Sequence, residues 1–129
     1  MPVDGSRQKA RLEVELTALF QQAVLHRYGR ACVVCGRSDR EVCAHHVIPK
    51  SRGDSIRWDT DNGAPVCFSP CHTKAHWTGD TGAAVRAKIE AWMGAKRYER
   101  MLAKSRVIVH YTVDDLKEIR SKLKAEMGW

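Results

Sequence analysis

The sequence predicts a small α+β protein in which two short strands and a short helix lie between longer helices. Apolar residues recur at three- and four-residue intervals near both ends of the chain, which is typical of amphipathic helices. Residues 30–70 contain repeated Gly and Pro, so only turns and short strands fit there. All five cysteines and four of the six histidines fall within residues 32–76, which indicates a compact site in the middle of the chain.

At 129 residues the chain has the length of one domain with a single core. We expect one domain over residues 1–129, with an N-terminal helix in 1–31, a core of two strands and a helix in 32–79, and a basic helical extension in 80–129. No apolar run reaches the roughly 20 residues of a membrane span, and the N-terminus has no secretory leader pattern. The sequence therefore predicts a soluble, cytoplasmic protein with no membrane partner.

The first helix is predicted over residues 6–28, and Gly29 suits the position just past its end. Its apolar stripe consists of Leu12, Leu16, Leu19, Phe20, Ala23 and Val24. In the middle of the chain, residues 42–48 and 64–67 are the candidate strands. Pro70 suits the first turn of the short helix that follows, which has room for about two turns.

The C-terminal third is predicted to be largely helical. One helix covers residues 82–93, Gly94 interrupts it, and a second piece follows through Leu102. Residues 107–111 are rich in β-branched side chains, which predicts a short strand or an extended connector. Thr112 and Asp115 form a capping-box pattern at the start of the last helix. The apolar stripe of this helix consists of Val113, Leu116, Ile119, Leu123 and Met127.

The chain is basic, with a formal net charge of +7. The excess lies in residues 1–31 and 82–129, whereas residues 32–81 are neutral overall. A basic protein of this kind is expected to have an acidic partner, and nucleic acid is the leading candidate. The alternative is a solvated basic surface that only aids solubility.

Four cysteines have the spacing of a structural zinc site. Cys32 and Cys35 form a Cys-x2-Cys pair, and Cys67 and Cys71 form a second pair about 30 residues later. Three residues separate the second pair, so Cys71 departs from the usual spacing. Metal binding would supply folding free energy, on the order of 10 kcal/mol in zinc peptides, to a unit too small for a large core. The alternative is a set of buried free thiols, and Cys43 is expected to pack inside the protein.

Four histidines have the spacing of a second, open metal site. His72 and His76 are four residues apart and share one face of a helix. His45 and His46 are adjacent on a strand, where neighbouring side chains point to opposite sides, so one joins the helical pair and the other stays free. Three protein ligands with open positions are typical of a catalytic metal ion, and a free imidazole beside it can take a proton from water at neutral pH.

The segments CVVC, CAHHVIPKSRGD, DNGAPVC and CHTKAH, within positions 32–76, together resemble the HNH (ββα-metal) endonucleases. The paired cysteines resemble the zinc-stapled branch of that family, and the C-terminal stretch is similar to small phage-encoded HNH proteins. The resemblance implies a ββα-metal core with one structural Zn²⁺, flanked by the N-terminal helix and the C-terminal helices.

The same resemblance implies roles for individual residues. His45, His72 and His76 are implied to hold one divalent ion, which the sequence leaves open as Mn²⁺, Mg²⁺, Ni²⁺ or Zn²⁺. His46 is implied to be the general base, and Asn62 is implied to hold the loop between the strands and to keep the His46 ring oriented. The implied activity is hydrolysis of DNA phosphodiester bonds.

Basic side chains near these residues are the candidate DNA contacts: Lys50, Arg52, Arg57 and Lys74. The alternative function is a zinc-stabilised DNA-binding or recombination-accessory module without catalysis, which has no need for a free imidazole beside three metal ligands. Cleavage of one strand or both, the DNA preferred as substrate, and a monomer or a homodimer all remain open from the sequence.

Overall fold

The computed structural model describes residues 5–129 and confirms the α+β class. Residues 1–4 lie outside the described residues, and with them the start of the N-terminal segment in which the sequence shows no leader pattern. In chain order the elements are α1 (Gly5–Tyr28), β1 (Val42–His46), β2 (Gly63–Cys67), α2 (Thr73–Ala75), α3 (Gly79–Met93), α4 (Ala95–Ser105) and α5 (Val113–Glu126). Within the described part of the chain, no helix combines the length and apolar character needed to cross a bilayer.

The largest core forms where α1 packs against α5. The apolar stripe predicted for α1 is buried there, together with residues from β1, from the loop between β1 and β2, and from α5 and its C-terminal end. The buried residues of this core are Leu12, Leu16, Leu19, Phe20, Ala23, Val24, Ala44, Trp58, Leu116, Leu123 and Met127. Because one side of α1 also contacts both strands, this helix joins the sheet to the C-terminal helix.

Local sequence signals mark the end of α1 and the start of α5. Gly29 follows α1 with a φ of 88°, a conformation that favours glycine, and its N–H donates to the carbonyl of Leu25 at 2.9 Å. At the start of α5, the Thr112 hydroxyl accepts from the Asp115 N–H, and the Asp115 carboxylate accepts from the Thr112 N–H. The predicted capping box is therefore confirmed.

Strands β1 and β2 form a two-stranded antiparallel sheet that presents the site residues. His46 lies opposite Gly63, and Val42 lies opposite Cys67. The predicted first strand is two residues too long, because the backbone N–H groups of Val47 and Ile48 leave the ladder and donate to the backbone and side-chain oxygens of Asn62. The strand ends where this loop contact begins.

The connections after the sheet differ from the predictions in two places, and in a third the structure decides between two predicted alternatives. A wide turn at Phe68–His72 precedes α2, so regular α-helix there is shorter than expected. Helix α3 begins at Gly79, three residues before the predicted start at Gly82. Gly82 itself packs so closely on the Trp77 carbonyl that there is no room for a Cβ. Residues 107–111 form a connector, the second of the two predicted alternatives: among the described residues, β1 and β2 are the only strands, and they pair with each other.

Candidate metal centre and active site

Strand β1 sends its two adjacent histidines to opposite sides of the sheet. His45 is buried, and its ring centroid lies 5.4 Å from that of His72 and 5.5 Å from that of His76. His46 points toward α1, where its ring stacks on Phe20. The alternation of side chains along a strand thus separates one imidazole from the other three.

The histidine triad, defined as His45, His72 and His76, has donor atoms within 4.8 Å of one another. His72 and His76 are one helical turn apart, and their Nε2 atoms lie 3.2 Å apart. Two nitrogens bound tetrahedrally to one zinc ion at about 2.05 Å would lie about 3.3 Å apart. The donor set and its spacing therefore fit a single divalent ion held by three imidazoles.

The environment of the triad keeps the rings of His45 and His72 neutral. Burial, together with the neighbouring His72 and His76, lowers the pKa of His45 to about 3. Burial and the nearby His76 also lower the pKa of His72. A neutral imidazole offers a lone pair to a metal ion, so these two residues are ready to act as ligands at neutral pH.

His46 is held by two contacts on the other side of β1. Its ring lies 4.5 Å from the Phe20 ring, with 13° between the planes, and its Nε2 lies 2.8 Å from the Arg57 carbonyl oxygen. A carbonyl only accepts, so Nε2 carries the hydrogen and Nδ1 has the free lone pair. Burial lowers the pKa of His46 and outweighs the opposing hydrogen bond to Arg57. The ring is therefore neutral at pH 7.

Asn62 closes the loop that connects the strands. Its side chain is buried, donates to the Ile48 carbonyl at 2.8 Å and accepts from the Ile48 N–H at 2.9 Å. These bonds fix the chain two residues after His46. The structure thus places Asn62 as a loop residue, and its effect on the orientation of His46, through the loop that carries Arg57, stays a prediction.

The cysteine cluster, defined as Cys32, Cys35, Cys67 and Cys71, also has its donor atoms within 4.8 Å of one another. The Sγ atoms of Cys35 and Cys67 are 3.9 Å apart, close to the roughly 3.8 Å that two thiolates on one tetrahedral zinc ion would have. Cys71 reaches the cluster despite its longer spacing because the wide turn contains an extended residue, Ser69, that takes up the extra length.

The protonation of the cysteine cluster is uneven. Burial raises the pKa of Cys32, but hydrogen bonds from the backbones of Cys35, Cys67 and Val34 outweigh it and bring that pKa down to about 7. Burial and hydrogen bonds with neighbouring thiols raise the pKa of Cys71. Because zinc binds thiolates, its binding would displace the protons that these thiols carry, including that of Cys71.

Cys43 lies outside the cysteine cluster, as expected for a packed strand residue. Its thiol donates to the Val66 carbonyl at 3.4 Å, and burial raises its pKa to about 11. It therefore stays protonated at neutral pH.

The candidate DNA contacts fall into two groups. Lys50 and Arg52 are exposed on the turn after β1, and Lys74 is partly exposed in α2 between two triad histidines. Arg57 is different: its guanidinium lies over the Trp58 ring at 4.6 Å and 3.7 Å from a Glu13 carboxylate oxygen. The structure thus engages Arg57 in packing within the protein, in contrast with the other three.

Two residues of α1 contact the site although no sequence signal assigned them to it. Phe20 was expected only in the helix stripe, yet it stacks on His46. The Gln21 side chain bonds both backbone groups of Ala44, at 2.7 and 3.1 Å. Both contacts depend on how α1 docks on β1, which helical periodicity does not reveal.

Comparison with protein families gives one informative match: the model described as HNH endonuclease covers residues 32–77. Searches of curated proteins and of solved structures return no match. The matched range contains the cysteine cluster, the histidine triad, His46 and Asn62. It leaves out α1 and everything from α3 onward.

Proposed function

We propose, from the HNH domain that residues 32–77 form, that this chain is a metal-dependent endonuclease that hydrolyses phosphodiester bonds of DNA. The observation that carries the proposal is the convergence of three imidazoles, with donors within 4.8 Å of one another, on the far side of the strand from a fourth neutral imidazole. This separates the ligands of an ion from a base that is free of it.

In this proposal the histidine triad holds one divalent ion, either Mn²⁺, Mg²⁺, Ni²⁺ or Zn²⁺. When bound, the ion supplies Lewis-acid stabilisation of the negative charge on the phosphate oxygens. The imidazoles of His45, His72 and His76 would provide three ligands and so leave coordination positions open for the substrate.

His46 is the proposed general base. Its Nδ1 accepts a proton from the attacking water, since its Nε2–H already donates to the Arg57 carbonyl. That carbonyl stabilises the imidazolium that forms, because it accepts from a more strongly polarised N–H. Asn62 supports the loop that contains Arg57 and is therefore a positioning residue.

The cysteine cluster is proposed to hold one structural Zn²⁺. The N–H of Val33, which lies between Cys32 and Cys35, donates to the Pro65 carbonyl at 3.0 Å. The cluster therefore joins the loop between α1 and β1 to strand β2. We propose that one domain contains the whole chain, with residues 1–31 and 80–129 flanking the core. DNA contact is proposed for Lys50, Arg52 and Lys74.

Plasmid cleavage tests this function. Supercoiled DNA is incubated with the purified chain and Mn²⁺, Mg²⁺, Ni²⁺ or Zn²⁺, with a chelator as the metal-free arm. We expect nicked or linear DNA with metal and only slow residual cleavage in His46→Ala, whereas the variant His110→Ala, which changes an exposed histidine outside the site, should cut normally. DNA binding without cleavage by the wild type would instead support the accessory-module alternative.

A further inference from the structure

We infer that helix α1 is part of the catalytic scaffold and that Phe20 is a positioning residue for His46. The inference rests on the proposed function and extends it to a helix outside the matched residues 32–77. The stack of Phe20 on His46 and the clamp of Gln21 on Ala44 carry it.

Phe20 and the Arg57 carbonyl restrict different motions of the His46 ring. The Phe20 ring is fully buried and nearly parallel to the imidazole, at 13°, so it fixes the plane of that ring. The bond from Nε2 to the Arg57 carbonyl fixes the rotation within this plane. Together the two contacts set the direction in which Nδ1 presents its lone pair.

The sheet is shaped to let α1 approach this closely. Gly63 lies opposite His46 in the ladder, and a Cβ at that position would collide with Val24 and press on Phe20. The absence of a side chain at Gly63 thus leaves the space in which the two rings stack.

Gln21 holds the strand itself. Its amide accepts from the Ala44 N–H at 2.7 Å and donates to the Ala44 carbonyl at 3.1 Å. Ala44 lies opposite Pro65 at a position of the antiparallel ladder where backbone groups point away from the partner strand, so both polar groups of Ala44 are free to bond α1. Because Ala44 is two residues before His46, α1 fixes both the backbone and the ring of the proposed base.

Phe20→Leu removes the flat ring while keeping a buried apolar side chain. The His46 ring should then sample more orientations, and kcat for DNA cleavage should fall roughly threefold to tenfold. KM should stay within about twofold, because Phe20 is buried and has no surface to offer DNA. The matched control is Leu16→Met, an equally buried position of the same helix, which should leave both constants unchanged.

Two readouts separate positioning from a general loss of structure. The first is a cycle with His46→Ala: adding Phe20→Leu to that variant should not slow residual cleavage further, because the positioned group is already gone. The second is NMR of the full chain: the nuclear Overhauser contacts from the His46 ring protons, assigned by their loss in His46→Ala, to residues other than Phe20 should change in Phe20→Leu and persist in Leu16→Met. Phe20→Met replaces Phe20→Leu if the latter does not fold.

Each result decides the matter. A folded variant with wild-type kcat, a change confined to KM, or unchanged nuclear Overhauser contacts of the His46 ring would overturn the inference. Failure of the wild type to cut DNA with every metal would refute the proposed function instead. In that case the NMR comparison still shows whether Phe20 orients His46.

Discussion

Replacing Asn62 with alanine should destabilise the protein strongly, although the residue touches no reacting atom in the proposed mechanism. The variant removes both side-chain hydrogen bonds to Ile48, at 2.8 and 2.9 Å, and leaves a buried N–H and a buried carbonyl without partners. Each such group costs about 1–3 kcal/mol, so the free energy of unfolding should drop by about 2–6 kcal/mol. That is a large part of the roughly 5–15 kcal/mol available to a domain.

Urea unfolding of the metal-loaded protein, followed by tryptophan fluorescence, measures this loss as a lower midpoint with little change in slope. Gln22→Ala serves as the control, because it removes an exposed amide from α1 and should change stability by less than about 0.5 kcal/mol. A loss below about 1 kcal/mol for Asn62→Ala would refute the reasoning, since the loop would then close without this clamp.

Three further outcomes are expected. Cys32→Ser should lower the unfolding temperature and the zinc content measured by atomic absorption, and chelation of the wild type should lower the unfolding temperature in the same way. Lys50→Ala should weaken DNA binding and reduce the slope of log affinity against log salt by about 0.9, whereas Arg57→Ala should mainly lower stability in denaturant titrations. Asp61→Asn should destabilise the protein at pH 7, and its difference from the wild type should shrink as the pH falls below the unfolded aspartate value of about 3.9; a difference in unfolding free energy that stays constant over that range would contradict the ion-pair explanation.

The sign of the Asp61 effect follows from its surroundings. Burial raises the pKa of this carboxylate, but the hydrogen bond and charge of Arg27, together with Arg100, outweigh burial and lower it. Arg27 lies 2.6 Å away and Arg100 lies 3.0 Å away. A lowered pKa adds stability above the unfolded value, about 3.9, and this stability disappears as the pH falls through the folded value.

The features that the sequence predicted well depend on neighbours along the chain. The helix stripe of α1, its glycine end and the capping box at Thr112 are signals within a few residues, and the structure confirms them. The spacing of His72 and His76 likewise indicated that the two rings share a face. Their use as metal ligands stays a prediction.

The features that could not be predicted depend on how distant elements dock. Residues 107–111 left a strand and a connector open, and the lack of a partner strand among the described residues decides for the connector. The packing of Arg57 on Trp58 had no local signal, although its role in DNA contact stays a prediction, and Phe20 resembled an ordinary core residue. In each case a contact between segments, rather than a local pattern, decides what the residue does.

The wide turn before α2 has a mechanical consequence. Cys71 belongs to the cysteine cluster and His72 to the histidine triad, so one peptide unit, about 3.8 Å between Cα atoms, tethers the two. If oxidation or a larger ion displaced the sulfur of Cys71, the imidazole of His72 would be displaced as well. The cysteine cluster and the histidine triad therefore cannot be transferred to another protein, or redesigned, independently of each other.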